Sequence, residues 1–77
     1  MNLMDTVNRI FDTAKEQNVT VDVAYDKLRA GASSAAEVEE LKSGMEFSRI
    51  YYNDIVNARK TGDFSKIAEI IKKEGEE

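Results

Sequence analysis

Asp22 and Asp26 stand one helical turn apart, at the spacing that sets two carboxylates on one helix face. Such a pair could work as general acid and base if a second wall closed over it and drove the two pKa values apart. Glu37, Glu39 and Glu40 form a second acidic group, which could attract a divalent cation loosely. No EF-hand spacing surrounds it, and the start of a helix already accounts for three carboxylates. Histidine and cysteine are both absent, which removes the commonest metal ligand, the usual general base near neutral pH and all thiolate chemistry. Serine and threonine hydroxyls therefore have no imidazole to activate them. Gly31, Gly44, Gly62 and Gly75 lie too far apart to cradle a phosphate. The expectation is a non-enzyme with no catalytic residue, no metal and no cofactor, whose charged residues serve contact.

The elements that would position these residues follow from periodicity. Leu3, Val7, Ile10, Phe11 and Ala14 recur at spacings of three and four, with Asp5, Arg9, Asp12 and Glu16 on the other side. This predicts a first helix over 3–17, stopped at Asn18, which tolerates the left-handed conformation that ends many helices. Thr20 is a candidate N-cap, and Val21, Ala24, Tyr25 and Leu28 form the inner face of a second helix over 20–30, ended by Gly31. Ser34 and Glu37 make the S-x-x-E capping box of a third helix. With no proline to interrupt it, that helix runs over 35–60, roughly 39 Å at about 1.5 Å per residue. Gly62 and Asp63 then end one helix and begin another over 63–73, faced by Phe64, Ile67, Ala68 and Ile71, with a frayed tail at 74–77. The fold class expected is all-α: one small four-helix domain, residues 1–77, with a long third helix as its spine.

That third helix is apolar on two sides. Val38, Leu41, Met45, Tyr52 and Ile55 make one stripe; Phe47, Ile50, Tyr51 and Ala58 make another. A helix of this kind is either central in its own domain or shared with a second copy. Gly44 in its middle costs about 1 kcal/mol relative to alanine. It marks either a kink or the close approach of another helix over Gly44 and Ser48.

The segment "TAKEQNVTVDVAYDKLRAG", residues 13–31, resembles the helix-turn-helix of phage Cro-type repressors. Ala14 falls where such motifs place a small residue between the helices. Asn18 takes the turn position that glycine usually holds, and Val19 follows as the buried turn residue. Ala24 and Leu28 fall at inner positions of the second helix. The resemblance implies a second helix that enters the major groove, with Asp22, Tyr25, Asp26 and Arg29 on its reading face, working as a dimer on two half-sites.

Charge weighs against that use. The chain carries 15 acidic and 11 basic residues, a formal net charge of −4, and duplex binding draws on lysine and arginine contacts to phosphate. Asp22 and Asp26 offset Lys27 and Arg29 within the second helix, so the reading face has no net positive charge. The amino terminus "MNLMDTVNRI" has neither a basic leader nor a long apolar run, which suggests a cytoplasmic protein with no membrane association. The leading expectation is a small acidic interaction or regulatory module that contacts another protein and forms a homodimer through the third helix. Its contact residues would be Phe47, Arg49, Ile50, Tyr51 and Asp54, with Asp22, Tyr25, Asp26 and Arg29 as a second patch. The alternative is a helix-turn-helix DNA-binding regulator that uses the second patch. A purely structural component has the same sequence features as the first.

Overall fold

In the computed structural model, which describes residues 3–75, the chain folds as five helices: α1 (Leu3–Gln17), α2 (Val21–Ala30), α3 (Ala35–Ile50), α4 (Tyr52–Thr61) and α5 (Ser65–Gly75). No strand occurs among the described residues. The all-α class holds, but the expected third helix is two helices, α3 and α4. Residues 76 and 77 of the expected frayed tail lie outside the described residues, and α5 continues to Gly75. Among the described residues, no helix is long and apolar enough to cross a membrane.

The turns form where short-range chemistry calls for them. Asn18 adopts φ 55°, and its neighbour Val19 donates its N–H to the Ala14 carbonyl at 2.9 Å, which closes α1. Thr20 caps α2 by accepting the Val23 N–H on its hydroxyl at 3.3 Å. Ser34 caps α3 through the Glu37 N–H at 3.2 Å. The reciprocal half of the capping box is displaced by one residue, because the Glu37 carboxylate accepts from the backbone N–H and hydroxyl of Ser33. Gly62 ends α4 at φ 80°, and Asp63 accepts the Ser65 N–H at the start of α5.

Two apolar clusters make the core, and α1 and α3 supply both. Ile10 and Ala14 of α1, Ala24 of α2, and Leu41 and Met45 of α3 form one. Val7 and Phe11 of α1, Phe47 of α3, Ile55 and Ala58 of α4, and Ile67 of α5 form the other. The two-sided apolar character of residues 35–60 is thus largely consumed inside the domain. Gly44 is not a kink: α3 passes through it unbroken, and α1 packs against it, with Thr6 buried opposite. Ser48 is fully buried one turn on and donates its hydroxyl to the Gly44 carbonyl at 2.7 Å.

The break comes at Tyr51 instead, with φ −112° and ψ 29°. Ile50, Tyr51 and Tyr52 are β-branched or aromatic residues, which lose side-chain freedom in a helix and hold it weakly. A straight helix would set Phe47 and Ile55 about 12 Å apart along one axis. Bending at Tyr51 brings both into the same cluster with Val7, Phe11 and Ile67. Burying side chains of this size is worth about 1.5–3 kcal/mol each, more than one imperfect helical residue costs.

Candidate functional site

The elbow between α3 and α4 keeps its backbone satisfied while it turns. Tyr51 donates its N–H to the Phe47 carbonyl at 3.0 Å and accepts the Ile55 N–H at 3.0 Å. The turn leaves Ile50 pointing outward with 70% of its surface exposed, the largest exposure among the big apolar residues described. Tyr51 is half-buried, its ring tilted on Phe47 with centroids 4.7 Å apart. Tyr52 is exposed on one side and lies 5.7 Å from Phe11 on the other. Arg49, just before Ile50, reaches across to Asp22 of α2, Nη2 to Oδ1 at 3.4 Å.

The expected contact residues therefore separate. Phe47 is 4% exposed and belongs to the core, a correction that follows directly from the bend, which turns it inward. Arg49 and Ile50 stand on the surface, and Tyr51 bridges surface and core. Asp54 is half-buried and accepts from Lys66 Nζ at 3.0 Å, so it faces α5. The second patch divides too. Asp22 joins Arg49 and becomes continuous with the elbow. Tyr25 is half-buried against the cluster around Ile10 and Leu41, while Asp26 and Arg29 lie exposed farther along α2. Arg49 thus meets Asp22 on the α2 side of α3, with Val23, 40% exposed, next to Asp22 in sequence, while Ile50 shares a shallow depression with Leu3, Ser43, Glu46 and Phe47.

Cation and carboxylate side chains on this surface retain most of their solvent: 66% exposed for Arg49 and 67% for Asp22. A pair so exposed is worth at most about 1 kcal/mol, and it can exchange partners readily. Elsewhere on α2, Lys27 donates to the Gln17 side chain at 2.9 Å. Two carboxylates are held below their usual range. Glu37 is lowered first by the Ser33 N–H, then by the Arg9 guanidinium and the Ser33 hydroxyl. Asp63 is lowered by the hydroxyl and N–H of Ser65. Both are helix-start devices on the surface. No three metal-ligating side chains converge among the described residues.

A second surface feature escaped sequence reasoning. Among the described residues, no Cα of α1 comes within 8 Å of one in α4. An open groove of about 700 Å³ separates the two helices, lined by Asn8, Phe11, Asp12, Lys15, Val56, Arg59, Lys60 and Phe64. Arg59 spans it, donating to Asp12 at 2.6 Å and to Asn8 at 2.9 Å, with its guanidinium 5.6 Å from the Phe11 ring centre. The available sequence signal was the i, i+4 pair Asn8 and Asp12 together with the dipeptide Arg59-Lys60. Their meeting spans about fifty positions, and no local pattern carries it. Comparison with models of known protein families, with curated proteins and with solved structures gave no match.

Proposed function

We propose that the protein is a small non-enzymatic interaction module that self-associates through the α3–α4 elbow. The observation that carries this reading is Ile50, 70% exposed between a bend and an arginine that pairs with Asp22, on a surface it shares with Glu46. A two-fold contact needs a patch that complements itself. Ile50 with the cation of Arg49 next to it in sequence and the carboxylate of Glu46 one turn before it supplies that, since each charge can pair with its opposite on a second copy. Burying Ile50 contributes about 2 kcal/mol per copy, about 4 kcal/mol for the pair, so the dimer is a weak one, with a dissociation constant on the order of 1 mM. Sedimentation equilibrium from about 0.1 to 5 mM tests it. Wild type should pass from monomer to dimer across that range, and Ile50→Asp should stay monomeric with an unchanged helical spectrum. A wild-type protein that remains monomeric throughout, or an Ile50→Asp protein that dimerises equally, contradicts the reading.

The turn between α1 and α2 favours a second reading, the DNA-binding regulator. Asn18 in the left-handed region, the Val19 contact to Ala14 and the Thr20 cap give the spacing that helix-turn-helix proteins use. Against it, Asp22 and Asp26 are both exposed on α2 and offset its two cations. Titration with duplex fragments at about 50 mM salt separates the readings, because phosphate-driven binding is strong there and falls steeply as salt rises. The interaction module gives no shift; the regulator gives one that salt abolishes.

A further inference from the structure

We propose that the groove between α1 and α4 is a docking site for an acidic segment of a partner protein, one that rests an apolar side chain on Val56 and Phe64. Three observations carry this. The first is charge: in a chain of net charge −4, the groove is lined by Lys15, Arg59 and Lys60 against the single carboxylate of Asp12. Arg59 is committed to Asp12 and Asn8, but Lys15 and Lys60 are both exposed. Among the described residues, neither has a carboxylate within 4 Å. The cations that could meet a ligand thus stand one on each helix, on opposite sides of the groove.

The second observation is the floor. Val56 and Phe64, both half-buried, present aliphatic and aromatic surface between these charges, and Phe11, 8% exposed, lies beneath the Arg59 guanidinium. Apolar floor with basic rim complements an amphipathic acidic segment, in the way that helices lie in grooves by their apolar side. The third is size and openness. The groove's α1 wall runs from Asn8 to Lys15, which at about 1.5 Å per residue gives a trough of roughly 10 Å. That length seats about two helical turns or three extended residues of a peptide. A nucleic acid is the poorer fit, because two uncommitted lysines on an acidic protein release few counterions and leave the apolar floor unused.

This surface is separate from Ile50, so the proposal stands apart from self-association. The test uses an array of acidic decapeptides, each with one Phe, Leu, Ile or Trp at successive positions, and a matched array with lysine in place of every acidic residue. Binding is read by nitrogen–proton NMR of the labelled protein. At about 1 mM peptide, members of the acidic array should shift the amides of Phe11, Lys15, Val56, Lys60 and Phe64, and the basic array should not. Combining Lys15→Glu with Lys60→Glu should weaken binding about tenfold or more, and the neutral pair Lys15→Gln with Lys60→Gln by less. Both positions are exposed, so the melting curve should not move appreciably. Ile50→Asp should bind peptide as wild type does. No shift across the acidic array, equal shifts from the basic array, or shifts centred elsewhere would overturn the proposal. So would movement of the same amides on simply concentrating the protein, which would place a second copy in the groove. Tighter binding of single-stranded DNA at these residues would overturn it as well.

Discussion

At Gly44, a Cβ would lie 2.7 Å from the Thr6 methyl and 3.3 Å from Thr6 Cβ. Threonine is stiff at χ1, and Thr6 is 2% exposed, so the methyl has little room to retreat. Alanine would gain about 1 kcal/mol in helix propensity, while overpacking a buried site costs about 1–3 kcal/mol. Gly44→Ala is therefore expected to destabilise by about 1 kcal/mol net, read as a lower urea midpoint. Adding Thr6→Ser, which removes the obstructing methyl, should recover much of that loss; a stabilising Gly44→Ala would show that α1 sits farther away. Glu37 offers a pH prediction at the same scale. Its folded pKa lies below the usual carboxylate range, chiefly through the Ser33 N–H. The stabilisation is then complete above that range and is lost as pH falls through the lowered value. Glu37→Gln should flatten the acid side of a stability curve measured by urea melts from about pH 6 to 3. An acid limb as steep as that of wild type would contradict the assignment. Gly44 was visible in the sequence as an anomaly with two explanations. Choosing between them required Thr6, nearly forty residues away.

Elements were legible where their signals are local. Asn18, Thr20, Ser34, Gly62 and Asp63 are each read from a few neighbouring residues, and each closes or opens a helix at or within two positions of where the spacing places it. Thr20→Ala should cost about 1 kcal/mol by freeing the Val23 N–H, seen as a drop of several degrees in Tm for a domain this small. An unchanged Tm would mean that the cap is not formed in solution. The elbow was not legible, and the reason is physical. Residues 49–53 contain neither proline nor glycine, and Tyr51 keeps helical hydrogen bonds to Phe47 and Ile55. What bends the chain is the shared demand of Phe47 and Ile55 for one cluster, a tertiary effect that overrides the local pattern. The same bend decides what the elbow exposes, since Phe47 is buried beside it and Ile50 is left outside.

The whole molecule is a slab of 31 × 29 × 17 Å, so its two clusters lie under thin cover and its stability is expected near roughly 4–12 kcal/mol. A slab that thin, without disulfides, gains from covering a face with a second copy. Neither surface described here is contiguous in sequence. Asp22 meets Arg49 across 27 positions, and Asp12 meets Arg59 across 47, which is why residue types alone suggested the first patch without its membership and did not show the groove. Because the chain has no cysteine, a single introduced thiol reports self-association at a chosen place. A two-fold contact centred on the elbow brings residue 50 near its own counterpart, and a disulfide needs Cα atoms within about 7 Å. The most direct measurement compares the rate of oxidative dimer formation by Ile50→Cys with that of Glu69→Cys, exposed on α5. Rapid covalent dimerisation of Ile50→Cys, with Glu69→Cys remaining monomeric, is the predicted result; equal rates, or none from Ile50→Cys, would contradict the elbow as the contact surface.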